Sequence, residues 1–147
     1  MNAVLFDSSI YIAVLRMKSN PALLLRQIAA GGTVWLSSVV LEELYAGAIP
    51  ANRHVVERLE RDFNRARRIL IPNLSDWTNA GKLLGRLGAK YNYEQIGRGR
   101  LTNDALIALS ATRVGITVIT ANARDFARLA EFRPLRWRLD DPRTTTI

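Results

Sequence analysis

The chain has 147 residues, 48% of them hydrophobic, with no cysteine and a single histidine. That length suits one domain with a core of its own, and the lack of cysteine excludes disulfides, thiol catalysis and cysteine-ligated zinc or iron–sulfur centres. Basic residues number 21 against 13 acidic, a net charge of +8 carried almost wholly by arginine, whose planar fork suits phosphate; a polyanionic partner, nucleic acid first, is favoured. No run of about 18 apolar residues is present, and the start M-N-A-V-L-F-D lacks the basic opening and long apolar centre of a secretory signal, so a cytoplasmic protein is expected.

Taken in order, residues 3–6 form a short apolar strand ending at Asp7, and S-S-I-Y-I-A-V-L-R continues as a helix. An acid at the carboxyl end of a first strand stands where open α/β sheets place their ligand crevice, although it also serves as an ordinary helix cap. Pro21 opens a second helix that Gly31 and Gly32 stop. The second strand is T-V-W-L-S, after which Ser38 is expected to cap a helix carrying Glu42 and Glu43. These two flank opposite edges of its apolar stripe, so periodicity does not choose between them.

Residues 52–70 read as one long amphipathic helix whose outer face interleaves Arg58, Arg61, Arg65, Arg67 and Arg68 with Glu57, Glu60 and Asp62. That pattern is a salt-bridged, solvated face rather than a nucleic-acid stripe. His54 lies at its exposed start, and one histidine supports neither a His-based metal cage nor a serine–histidine triad. Residues 69–72 offer a short third strand. Ser75 is then expected to cap a helix with Trp77, Ala80, Leu83, Leu84 and Leu87 inside. The stretch Y-N-Y-E-Q-I-G-R-G-R reads as a loop, and its Arg98 and Arg100 are candidates for phosphate contacts, as is Arg124 further on.

A helix opening at Thr102 or Asn103 follows, with Asp104 on the same stripe as Ile107, Ala108 and Ala111. A carboxylate on a core-facing stripe calls for compensation, and a metal ion is the economical one; a first-turn acid favoured by the helix dipole is the plainer account. Gly115 breaks the helix, 116–120 form a strand, and Asn122 caps a last helix containing Asp125 at capping-box spacing. P-L-R-W-R-L alternates as an edge strand, and about 140–147 read as a loose tail. The order, strands alternating with helices, implies parallel pairing with helices on both faces of one sheet.

Asp7, Glu43 or Glu42, Asp104 and Asp125 therefore gather at one carboxyl edge. Crowded carboxylates repel unless a divalent cation neutralises them, and oxygen ligands alone favour Mg2+ or Mn2+ over zinc. Beside a basic surface such an ion suits phosphodiester hydrolysis.

The blocks L-F-D-S-S-I-Y-I, L-S-S-V-V-L-E-E-L-Y-A-G-A, T-N-D-A-L-I-A-L-S-A and T-V-I-T-A-N-A-R-D-F resemble, in order, those of PIN-domain ribonucleases, specifically VapC-like toxins of toxin–antitoxin pairs. The resemblance covers almost the whole chain. It implies a single three-layer α/β/α PIN-like domain over 1–147, with a central, mainly parallel sheet of four to five strands. It also implies a metal-dependent endoribonuclease acting on tRNA or rRNA, a cognate VapB-like antitoxin and a homodimer. Carried over, the family's acids are Asp7, with Ser8 as its hydroxyl neighbour, then Glu43 in E-L-Y-A-G, which leaves Glu42 at the surface, and Asp104. The fourth position departs: where many members carry aspartate this chain has Asn122, and Asp125 is the nearest acid. Asp7, Glu43, Asp104 and Asp125 are thus the expected catalytic and metal-binding residues, with Asn122 as a weaker ligand.

Two other readings compete. A catalytically weak PIN module that binds RNA or protein is motivated by Asn122. A nucleotide-binding or receiver-like domain lacks support, because there is no P-loop, no G-x-G-x-x-G turn and no paired acid after the first strand.

Overall fold

The computed structural model describes residues 2–17, 21–92 and 98–144, with the side chains of 98–100 outside the description. Five strands form one parallel sheet in the order β3-β2-β1-β4-β5, made of β1 (Ala3–Phe6), β2 (Thr33–Ser37), β3 (Ile69–Leu70), β4 (Thr117–Thr120) and β5 (Trp137–Leu139). Among the described residues seven α-helices flank it, besides a short 3-10 turn at Pro50–Asn52: α1 (Ser8–Arg16), α2 (Pro21–Ala29), α3 (Ser38–Gly47), α4 (Arg53–Arg65), α5 (Leu74–Tyr91), α6 (Arg98–Arg113) and α7 (Ala123–Ala130). This is the expected three-layer α/β/α arrangement. β1 is apolar throughout and β4 apolar at its centre because a central parallel strand is covered on both faces, and Val4, Leu5, Phe6, Val118 and Ile119 are all buried.

The chain runs from β1 outward through β2 to β3, then crosses back to lay β4 and β5 on the other side of β1. The sheet thus reverses direction between β1 and β4, and at such a switch point the flanking loops diverge and leave a crevice at the carboxyl edge.

Four local expectations are corrected. The cap of α3 is Ser37, the last residue of β2, whose hydroxyl accepts from the Val39 N–H at 3.1 Å; strand passes into helix without a separate Ser38 cap. The long arginine-rich helix stops at Arg65, because Arg67 adopts φ 56° and turns the chain into β3. The cap of α5 is Asn73 rather than Ser75, closing a capping box with Asp76. That register turns Trp77 outward, 55% exposed, and buries Asp76 against Arg113, whose guanidinium grips it at 3.0 to 3.1 Å. Finally, α6 begins at Arg98, so the residues read as the end of a loop already belong to a helix; the rest of that stretch, 93–97, lies outside the described residues.

α6 is buried almost all round, from Asp104 through Ala111, and packs against α5, α3, α7 and β4. The region expected to be a loose tail is described as far as 144, and those residues are held. The Asp140 N–H donates to Thr120 O at 2.8 Å, Pro142 is buried, and Arg143 pairs with Asp141. No described helix is long and apolar enough to cross a membrane.

Candidate active site

Parallel register builds the site. Phe6 lies opposite Ile119, so the next residue of each strand, Asp7 and Thr120, emerges at the switch point side by side. Thr120 Oγ1 donates to Asp7 Oδ2, and Ser9 Oγ donates to Asp7 Oδ1, each at 2.5 Å. Ser9 Oγ accepts in turn from the Ala121 N–H, and Thr120 Oγ1 from the Asn122 N–H, at 3.0 and 2.9 Å. Asp7 does cap α1, through a bond of 3.4 Å from the Ile10 N–H, but capping alone leaves an acid in water. This one is 3% exposed. Burial raises its pKa, partly opposed by the hydrogen bonds from Ser9 and Thr120.

Glu43 reaches the same place from the second turn of α3. Its side chain is half-buried while Glu42 is exposed. Its Oε1 is buried with no hydrogen-bond partner among the described residues. Burial pushes the carboxyl up in pKa, Asn103 and Ser8 oppose this by hydrogen bonding, and the charges of Asp7 and Glu42 push it up again. Ser8 therefore supports Glu43, and Ser9 is the hydroxyl that serves Asp7. Asp104, next to that Asn103, is 9% exposed and lies in the second turn of α6, beyond the first turn in which the helix dipole accounts for an acid.

Asp125 and Asn122 are joined to each other, the Asn122 Nδ2 donating to Asp125 Oδ2 at 2.9 Å. The expected capping box is not formed, since the Asn122 side chain makes no cap bond to the helix backbone. Among the described residues no three His, Cys, Asp or Glu side chains are spaced to hold a metal. The structure thus brings Asp7 and Glu43 into electrostatic contact and places Asp104 and Asp125 along the same edge without closing the four on one point. The donors nonetheless fit a hard divalent cation in kind: carboxylates only, two of them desolvated and repelling, one with a buried oxygen that nothing satisfies. Asp7, Glu43 and Asp104 are the residues that would hold it.

Of the arginines expected to meet phosphate, Arg124 is exposed in the first turn of α7, and the side chains of Arg98 and Arg100 lie outside the described residues. Sequence reasoning passed over two others. A cavity of about 680 Å³ beside Asn122 and Ser9 is also lined by Arg16 and Arg143. A second, of about 410 Å³, contains Glu43 and is walled by Ile12, Leu15 and Ile49, with Arg16 again on its rim. Arg16 stands seven residues after Ser9 on the same face of α1, which is its one linear signal; Arg143 carried none.

A parallel α/β/α sheet with desolvated acids at its switch point defines an α/β domain with an acidic site at its carboxyl edge, and the comparison with known families makes it particular. Residues 4–132 match the model of the PIN domain, and the chain belongs to that family. PIN domains are generally nucleases. No curated protein matches the chain by sequence. Among solved structures it is similar to a DNA-bound VapBC from Salmonella typhimurium, with a TM-score of 0.66 and 22% identity over 97% of this chain and 99% of that one. VapBC-1 of nontypeable Haemophilus influenzae gives 0.61 and 20% over 92% and 96%, and FitAcB of Neisseria gonorrhoeae 0.58 and 22% over 97% and 99%. At these identities the likeness is one of fold.

Proposed function

We propose that the chain is a metal-dependent endoribonuclease, the VapC-like toxin of a toxin–antitoxin pair, acting in the cytoplasm on tRNA or rRNA. The observation that carries this is the pair Asp7 and Glu43 at the switch point, one carboxyl buried and the other half-buried, close enough for the charge of Asp7 to raise the pKa of Glu43, whose Oε1 no described group satisfies. Such a pair is costly without a cation between its members. Asp7, Glu43 and Asp104 would hold one or two Mg2+ or Mn2+ ions, which supply charge neutralisation at the phosphate and a more acidic bound water.

The protein's own part is positional. Thr120 and Ser9 fix the orientation of the Asp7 carboxylate with two hydroxyl donors, so that its geometry does not have to be reorganised during reaction. Asn103 and Ser8 do the same for Glu43. Asp125, tied to Asn122, would orient an attacking water from the β4 side.

The partners follow from the same surface. The cavity beside Glu43, with exposed Ile12, Leu15 and Ile49, suits an apolar segment of a VapB-like antitoxin that directs a basic side chain at the acids. A homodimer completes this reading. The second reading, a PIN module that binds RNA with little turnover, is favoured by the Asn122 substitution and by acids that do not close on one point.

Cleavage of a mixed tRNA and rRNA pool by partner-free protein, with Mg2+, Mn2+ or excess chelator, separates the two. Discrete products that vanish with chelator and with Asp7→Asn support the nuclease. An intact pool under every metal, from folded protein that retains RNA, transfers the case to the binding module.

A further inference from the structure

We propose that the cavity beside Asn122 is a nucleotide subsite in which Arg16 and Arg143 hold the phosphate adjoining the bond that is cut. Its position relative to the cut rests on the nuclease reading of the neighbouring acids; the capture of phosphate does not. The cavity measures about 680 Å³, within the range of sites that enclose a small ligand and enough for one nucleotide. One end is formed by Ser9 and Asn122. Ser9 donates to Asp7 and Asn122 N–H reaches Thr120, the other donor to Asp7, so an occupant sits one side chain away from the acids.

The same lining carries two cationic side chains. A phosphodiester chain approaching Asp7 and Glu43 meets two negative groups, and without flanking cations it is repelled before chemistry begins. Arg16 supplies one: it ends α1, is exposed, and makes no ion pair among the described residues. It also lines the cavity that contains Glu43, as Ile12 does, so this part of α1 is shared by the two hollows around the site. Arg143 supplies the second. Asp141 binds its Nε and Nη2 at 2.9 and 2.8 Å, which fixes the plane of the fork and leaves the Nη1 edge for a ligand. A fixed guanidinium loses less freedom on binding than a mobile one, and this compensates for the charge that Asp141 offsets. The remaining lining, Ile12, Ala13, Met17 and Ala121, offers a base or sugar apolar contact.

The test is fluorescence anisotropy of a labelled six-nucleotide RNA in excess chelator, where metal-dependent cleavage does not run, across a salt series. Compared are the unaltered protein, Arg16→Gln, Arg143→Gln, Arg16→Lys, and Arg65→Gln on the outer face of α4. Each glutamine variant at the cavity should bind roughly ten-fold more weakly and lower the log–log salt slope by about 0.7, the value for one phosphate contact on a single strand. Arg16→Lys should keep the slope, and Arg65→Gln should change neither quantity. With Mg2+ present, Arg16→Gln should raise KM for RNA cleavage more than it lowers kcat. Equal losses at Arg16 and Arg65 would reduce the binding to diffuse surface charge and overturn the subsite, as would unchanged affinity and slope in both cavity variants. If the unaltered protein never cleaves but the Arg16 effect on slope persists, the nuclease reading falls and the phosphate site stands.

Discussion

The charge at Glu43 offers the most direct handle on the site. Its Oε1 is buried without a partner, and its pKa is raised first by burial and then by Asp7 and Glu42. A carboxyl whose folded pKa lies above its ordinary value contributes stability that is complete below that value and is lost as pH rises through the folded one. At pH 7 without a divalent cation, Glu43 therefore destabilises the fold. Replacing it with glutamine removes the charge and keeps the shape. Removing a charge from this partly desolvated place is worth on the order of 1 kcal/mol, which at 147 residues raises the melting temperature by about 2–4 °C. A cation reverses the balance. At ten to a hundred times its dissociation constant, Mg2+ adds about 1.4–2.7 kcal/mol to a protein that binds it only when folded, or roughly 3–10 °C. Calorimetry should thus show Glu43→Gln melting above the unaltered protein in chelator, and below it in Mg2+ or Mn2+. If the unaltered protein melts at the same temperature with and without divalent cation, or if the variant gains as much from it, the pair is not a cation site and the argument from its desolvation fails.

Asp104→Asn should leave the melting temperature within a few degrees and lower cleavage at least a hundred-fold, measured as initial rate on the RNA identified in the pool; retained cleavage would remove Asp104 from the site. The metal-dependent rate should fall on acidification at a pH above the usual carboxylate range, because Asp7 and Glu43 both take up protons more readily than exposed acids and a protonated ligand releases its cation; a pH–rate profile flat down to the ordinary carboxylate range would contradict this. Asp76→Ala should cost about 3 kcal/mol, one part for the capping box and the rest for the Arg113 fork left without its partner, seen as a melting temperature lower by roughly 6–12 °C with kcat unchanged. Two glycine substitutions should move stability in opposite directions. Gly85→Ala, in open space on α5, should stabilise by about 0.5–1 kcal/mol, whereas the Cβ of Gly32→Ala would lie 2.8 Å from Asn2 O and force β1 and β2 apart; equal denaturant midpoints for the two would refute the geometry.

Much of this fold is legible in the sequence because a parallel α/β/α sheet leaves each element a distinct signature. Buried strands show as a continuous apolar run in A-V-L-F and as a β-branched one in T-V-I-T, and helices such as α2 carry stripes bounded by proline and glycine. The misreadings fall where tertiary packing overrides local preference. Trp77 looks like core by size and Asp76 like surface by charge, yet a cap two residues earlier than expected turns α5 so that Arg113, 37 residues distant, makes the burial of Asp76 affordable. R-G-R-L reads as loop because it contains glycine, but Leu101 is buried and the helix is drawn back to Arg98 by what it packs on.

The site divides along the same line. Its acids could be found in order along the chain, since every strand of a parallel sheet delivers its carboxyl end to one edge. The groups that set their chemistry could not, because each depends on register across the sheet: Thr120 meets Asp7 over 113 residues, and Arg143 reaches the cavity beside Ser9 from the far end of the chain. A pattern of acids identifies a family, while the hydroxyls that orient them and the arginines around them decide what one member binds. Asn122 makes the point in this chain. It stands where a fourth carboxylate was expected, and its amide instead holds Asp125 while its backbone N–H supports Thr120. Losing one negative charge at that corner weakens the hold on a cation and, by the same electrostatics, lowers the repulsion felt by a phosphate entering the cavity that Asn122 lines. The Asn122→Asp variant should therefore bind Mg2+ more tightly and RNA in chelator more weakly, and the sign of those two changes, measured together, separates an asparagine that impairs the metal site from one that serves the nucleotide.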